Sequence, residues 1–341
     1  MLILGGLVMS MPFQHRRGNP GALIMLVVVV VMTASGCTSG TSTLDDAEGL
    51  VAAVASYDVV ANRPGRFMVG LYTADQSQTL AYGTVSFVFT YRGDGETDSR
   101  AQIDLGPVEA VFLPIPGQEL DPAIVTAPPE LVAGSVATGV YAVQDATFDS
   151  AGFWEVAVTA EIDGTTLSTT GAFEVLATSD VPAVGEAAPR TRQPLAGDSS
   201  VDAKAIDSRA GGEIPIPDLE LHDITVADAI AAGHPAMIVV STPTFCVSRF
   251  CGPITDSVHD LALQYGDQME FIHLEVWEDF EANQLNPSAA EWIAPTPETQ
   301  GGEPWVFVVD ADGIIVRRFD NVASEDDLLA AVENVLGTTS G

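Results

Sequence analysis

The stretch PAMIVVSTPTFCVSRFCGPITDSVHDLALQYGD, residues 235–267, changes its period halfway along. Ala236 to Val240 is an unbroken apolar run, which suits a short strand buried on both faces. From Ile254 onward the apolar residues return at helical spacing, Pro253 suits a first turn because it needs no amide partner, and Gly266 offers a stop. Between the two patterns stand Cys246 and Cys251, separated by four residues. Unpaired amides at a helix N-terminus favour negative charge and lower a thiol from about 8.5 toward values at which thiolate forms. Arg249, between the cysteines, would add to this tuning.

The spacing constrains the geometry. Residues five apart in a regular helix are separated by about 7.5 Å of rise, beyond the roughly 4.4 to 6.8 Å between Cα atoms that a disulfide tolerates. A bonded pair therefore requires Cys246 to precede the helix, and a helix started by Pro253 would leave both cysteines in the loop.

Working outward, TVADAIAAG (225–233) reads as a helix closing on Gly233 and MEFIHLEVW (269–277) as a second strand. WVFVVDADGIIVRRFD (305–320) reads as a hairpin turned at Asp312 and Gly313. SEDDLLAAVENVLG (324–337) reads as a helix capped by Ser324 with Asp327 three residues on. The order is helix, strand, helix, strand, hairpin, helix.

That order, with Gly233-His234-Pro235 before the strand, cysteines directly after it and Pro304 opening the last hairpin, resembles the thioredoxin superfamily over residues 216–337. The resemblance implies an α/β thioredoxin-like domain over 216–341, three-layered with a central mixed sheet. It implies thiol–disulfide exchange in which Cys246 attacks and Cys251 resolves, without a cofactor or metal. It also implies a cis Pro304, flanked by Glu303 and Trp305, that docks the substrate. The chain departs from the family in several places. The usual pair is separated by two residues, Val240 replaces the buried acid, Phe245 stands where Trp is common, and Glu303 stands where a small or β-branched residue precedes the proline. Two other chemistries stay open: a stapling disulfide in a binding module, or a Cu(I) chaperone, since soft thiolates suit that ion and His259 or His273 would be the distant ligand. A peroxiredoxin pattern fits poorly, because Ser248 precedes Cys251 by three residues but Pro243 precedes it by eight.

Residues 44–178 have another rhythm. FMVGLYT (67–73), TVSFVFTYR (84–92), EAVFLPI (109–115), GVYAVQDATF (139–148), GFWEVAVTAEI (152–162) and GAFEVLAT (171–178) are short strands parted by turn clusters. They suggest a β-sandwich. The run 139–164, GVYAVQDATFDSAGFWEVAVTAEIDG, resembles the closing strands of immunoglobulin-like extracytoplasmic domains, which implies an all-β immunoglobulin-like sandwich serving as spacer or partner-binding module. Phe153 and Trp154 read as core or interface residues. Residues 179–215, rich in Pro, Gly, Ala and Ser, read as a linker or irregular lead-in.

At the N-terminus, His15, Arg16 and Arg17 precede an apolar run of eleven residues, 22–32, too short to cross a bilayer core that needs about 20. TASGC follows, ending at Cys37. This describes an export signal over 1–36. ASGC resembles the bacterial lipobox, with Ala34 where Leu is commoner, and implies lipidation of Cys37, a tether over 37–43 and an extracytoplasmic protein anchored to the cell membrane by that lipid. The expected partners are extracytoplasmic thiol or disulfide proteins. The net charge is −34 with Lys204 as the sole lysine. Such acidity repels nucleic acid and keeps a chain hydrated in salt. Glu275, Glu278, Asp279 and Glu281 read as a solvated acidic face, and Trp277, Trp292 and Trp305 as candidates to rim a groove near Pro304.

Overall fold

The computed structural model describes residues 49–94, 104–117, 120–134, 138–246, 248, 250–293 and 302–337. The export signal, the tether with Cys37, and Arg249 lie outside the described residues.

The strands come first because alternation drives them. β1 (Leu50–Val54), β2 (Gly65–Thr73), β3 (Gln78–Ala81), β4 (Thr84–Gly93) and β5 (Asp104–Pro114) are followed by a single helical turn, α1 (Pro122–Val125), then β6 (Glu130–Ala133), β7 (Gly139–Ala146), β8 (Gly152–Ile162) and β9 (Thr165–Val175). β8 shows the pattern at its clearest. Trp154, Val156, Val158 and Ala160 are buried while Phe153, just before them, is 50% exposed, as a period of two on a half-wet sheet requires. β8 and β9 pair from Gly152↔Val175 to Ile162↔Thr165. Their turn uses Asp163 and Gly164, both at positive φ, which matches the twist of a two-residue hairpin.

The nine strands hydrogen-bond in the order β6-β3-β2-β7-β5-β4-β8-β9, with β1 also on β2. The sheet curls until β1 meets β9: a Cβ on Gly171 would stand 3.3 Å from Val54 Cγ2 and 3.5 Å from Ala52 Cβ. Inside lie Phe67, Phe87, Phe89, Phe148 and Trp154 in largely edge-to-face contact, the arrangement favoured by ring quadrupoles.

The second group is α2 (Val226–Ala232), β10 (Ala236–Ser241), α3 (Cys251–Tyr265), β11 (Glu270–Glu275), β12 (Trp277–Asp279), β13 (Gln284–Leu285), α4 (Pro287–Ile293), β14 (Trp305–Val309), β15 (Ile315–Asp320) and α5 (Glu325–Leu336). Four strands form a small sheet, β11-β10-β14-β15, in which only β10 and β11 run parallel. The stop at Gly233 and the cap at Ser324 are as the sequence suggests. Thr225 accepts from the Asp228 amide, Gly233 and Gly337 take the left-handed conformation, and Ser324 and Asp327 form a reciprocal capping box.

The expected fold class is corrected in both parts. The described chain is mainly β, 41% strand against 19% helix, and a nine-stranded antiparallel sheet dominates it, so a three-layer α/β thioredoxin-like architecture beside an immunoglobulin-like sandwich does not describe it. The reason lies in pairing and packing. A sandwich needs two sheets, but β5 bridges β4 to β7, making one continuous ladder. The apolar faces of α3 and α5 rest in a core that also takes Met68, Leu113, Val140 and Ala142 from the large sheet and Ile115 just beyond β5.

One smaller expectation also changes. α3 begins at Cys251, two residues before Pro253, because any of the first turn's amides is spare and proline is tolerated beyond its first position. No helix among the described residues is long and apolar enough to cross a membrane.

Candidate functional site

β10 is buried along its whole length and delivers the chain to Ser241. Beyond it the Cys246 amide donates to the Thr242 carbonyl at 3.1 Å, closing a turn. The loop is then pinned from beneath: the Thr244 amide donates to Ser208 Oγ at 3.1 Å, and the Ser208 amide donates to Glu275 Oε2 at 2.7 Å. At the helix side, Thr255 Oγ1 donates to the Cys251 carbonyl at 2.8 Å and lies 2.7 Å from Ser241 Oγ. Strand end and helix start are thus tied by side chains, which fixes the turn that carries the cysteines.

Cys246 and Cys251 are joined in a disulfide with Cα atoms 6.0 Å apart. Cys246 precedes α3, as the spacing demanded, and Cys251 is its first residue. The two cysteines differ in exposure. Cys251 is fully buried and Cys246 is half-buried. Ser248 Oγ lies 3.2 Å from Cys246 Sγ, placed to donate to a thiolate there once the bond is reduced. Phe245 stacks flat on Phe280, centroids 4.2 Å apart, and Trp277 meets Phe280 edge-on.

Across from the pair the Glu303–Pro304 peptide is cis, as the resemblance implied. Trp305 follows at the start of β14, 2% exposed and stacked on Phe307. A carboxyl oxygen of Glu303 and both sulfurs lie within 4.8 Å of one another. Burial, with the charge of Glu275 second, pushes the Glu303 carboxyl up to about 8.

The segment after β1 holds this corner in place. Tyr57 donates its hydroxyl to the Glu303 carbonyl at 2.8 Å and its amide to Asp320 Oδ2 at 2.8 Å. Asn321 Nδ2 donates to the Ala55 carbonyl at 2.9 Å. Arg66 on β2 donates to the carbonyls of Asp320 and Val322 and pairs with Asp327 on α5 at 3.2 Å. Arg318 on β15 donates to Asp58 and Ser179.

A second cluster lies deeper. Asp207 Oδ2 is 3.3 Å from His222 Nε2 and 3.5 Å from His273 Nδ1, and all three side chains are buried. The Arg209 guanidinium already occupies both carboxylate oxygens, at 3.0 and 2.7 Å. A cation placed among these groups would meet that fixed positive charge, so the donor set suits an ion-pair network better than a metal. Burial alone would raise the Asp207 carboxyl, but the bonds from His222, His273 and Arg209 overcome it and hold it well below the usual range. Burial works against a charge on His273 too, yet Asp207 prevails and its ring is shifted up. His273 Nε2 lies 3.1 Å from the Ser241 carbonyl, so the network braces the end of β10.

Among the residues singled out from sequence, Cys246, Cys251, Glu303, Pro304 and Trp305 come together, while Arg249 and Cys37 lie outside the described residues. Neither histidine weighed as a copper ligand joins the sulfurs: His259 faces Asp218 and Glu220 at 3.5 and 3.6 Å, and His273 faces Asp207. The acidic face is corrected at Glu275, which is 2% exposed and bonded to Ser208; burial pushes its carboxyl up. The tryptophan rim is corrected as well. Trp292 is fully buried, donating to Thr191 Oγ1 at 2.9 Å, and Trp277 is 8% exposed. Val240, standing where the resemblance implies an acid, is a buried core residue. Sequence reasoning missed Tyr57, Ser208 and Asp207, which carry no motif and reach the site only through packing. No family model matches the chain, and no curated protein matches it.

Proposed function

We propose that this protein exchanges thiols and disulfides with extracytoplasmic protein partners through Cys246 and Cys251, from a membrane anchor provided by lipidated Cys37. The observation that supports this most is the asymmetry of the bonded pair, a half-buried cysteine before the helix and a fully buried one at its first residue. Attack on a partner's disulfide needs one reachable thiolate, and resolution needs a second thiol within bonding distance. Cys246 fills the first role and Cys251 the second. Ser248 and the amides opening α3 favour negative charge on the sulfurs. Phe245, stacked on the exposed Phe280, offers an apolar ledge for a partner's chain. The sequence likeness to thioredoxin-like proteins points the same way.

The test is reduction of insulin disulfides by the chain lacking residues 1–43, coupled to a dithiol. Turnover that is abolished by Cys246→Ser supports exchange; turnover unchanged by it removes the reading. The reduction potential of the pair decides between a working and a stapling bond, since a value below about −300 mV marks a structural disulfide.

A further inference from the structure

Cys251 is fully buried, so bulk water does not reach its thiol. Resolution by this residue therefore needs an internal proton acceptor. Val240 offers none, and Glu275 is engaged with the Ser208 amide. Glu303 remains. Its Oε2 is buried without a hydrogen-bond partner among the described residues, and a carboxyl oxygen stands within 4.8 Å of both sulfurs, a gap that transfer through one water spans. Its backbone is held by the Tyr57 hydroxyl.

We propose that Glu303 is the proton-transfer group of the cysteine pair, taking the proton of the Cys251 thiol during resolution and returning it to the departing sulfur. This rests on the exchange reading. In the first step Cys246 thiolate attacks the partner's disulfide, forming a Cys246–partner bond and releasing one partner thiolate, which takes a proton from solvent. In the second, the Cys251 proton passes to the Glu303 carboxylate. The Cys251 thiolate then attacks Cys246 Sγ, the Cys246–Cys251 bond forms, the Cys246–partner bond breaks, and the second partner thiolate leaves with the proton from Glu303. The protein's two thiols are oxidised by two electrons and the partner's disulfide is reduced by the same two. The reverse direction uses the same group as an acid.

The titratable groups around Glu303 are Cys246 and Cys251, Tyr57 from the segment after β1, Glu275 on β11, and Asp320 on β15, which with Glu303 acts on Tyr57. With its carboxyl pushed up to about 8, both protonation states are populated near neutrality, which is what a group that must take and give a proton requires.

The experiment mixes the reduced chain lacking residues 1–43 with oxidised glutathione and follows the glutathionylated Cys246 intermediate by rapid acid quench and mass spectrometry. In Glu303→Gln the intermediate forms at the wild-type rate but resolves about 100-fold more slowly, and the inflection near the carboxyl's titration disappears from the pH profile of resolution. Glu303→Asp keeps that inflection, and serves alone if the Gln variant does not fold. Resolution in Glu303→Gln at the wild-type rate and pH profile, or loss of the inflection in Glu303→Asp, overturns the proposal. If wild type forms no intermediate at all, it is the exchange reading that fails. The proton link is then read from the ultraviolet thiolate titration of the reduced pair: a curve shifted to lower pH in Glu303→Gln upholds it, and an unchanged curve overturns it.

Discussion

Tyr57 donates its hydroxyl to the carbonyl of Glu303 at 2.8 Å, across 246 residues of sequence. The bond ties the large sheet to the turn before Pro304, so the corner facing the disulfide depends on both parts of the chain.

Tyr57→Phe should cost about 1 kcal/mol, the net worth of a typical intramolecular hydrogen bond, read as a lowered urea midpoint. Gly302→Ala should cost more, about 1–3 kcal/mol as an overpacking change, because its Cβ would stand 2.6 Å from the Tyr57 ring. In a Tyr57→Ala background that penalty should vanish, and a double-mutant cycle measures the coupling.

The reduced cysteines should differ in reactivity. Cys246 is half-buried and Cys251 fully buried, so iodoacetamide should modify Cys246 first, with Cys251 labelled only on unfolding. Peptide mass spectrometry of a short labelling time course checks the order; equal labelling of both would contradict the burial asymmetry.

Glu303 makes stability fall with rising pH. Its carboxyl is raised from 4.5 to about 8 by burial first and Glu275 second, so the folded state holds a proton the unfolded chain releases. That contribution is complete below 4.5 and is lost as pH rises through about 8. Above that range Glu303→Gln should be more stable than wild type, by on the order of a few kcal/mol, with the gap closing in acid. Denaturant midpoints across the window measure it.

Asp207 acts with the opposite sign. Despite its burial, its partners hold its carboxyl far below 3.8, so its contribution is present above that value and is lost only as pH falls through the depressed one. Asp207→Asn leaves Arg209 and His273 facing a neutral amide, and should cost about 3–5 kcal/mol at neutral pH, as breaking a buried pair does. Thermal unfolding of the variant against wild type reads the loss.

Much of the site's local geometry is legible in residues 235–267. A strand buried on both faces, a helix with its proline and glycine signals, and a pair of cysteines at the junction are short-range features, set by periodicity and capping within one or two turns of chain. The same holds for the Ser324 capping box and the β8–β9 hairpin, where alternation and an Asp-Gly turn act on neighbouring residues. Even the requirement that Cys246 precede the helix follows from the rise of a helix alone.

What tertiary structure decided is everything carried by distant partners. Alternation states which face of a strand is apolar but not whether β5 continues a ladder or starts a second sheet, so one curled sheet could not be told from a sandwich. Glu275 reads as one more acid in an acidic run, and only packing against Ser208 and His273 makes it a buried anchor. The sequence by itself determined that the two cysteines stand at the junction of strand and helix, with Cys246 ahead of the helix. The carboxyl of Glu303 reaches those sulfurs because β14 pairs with β10 and Tyr57 closes over the turn, contacts whose free energy comes from burial and hydrogen bonding between segments far apart in the chain.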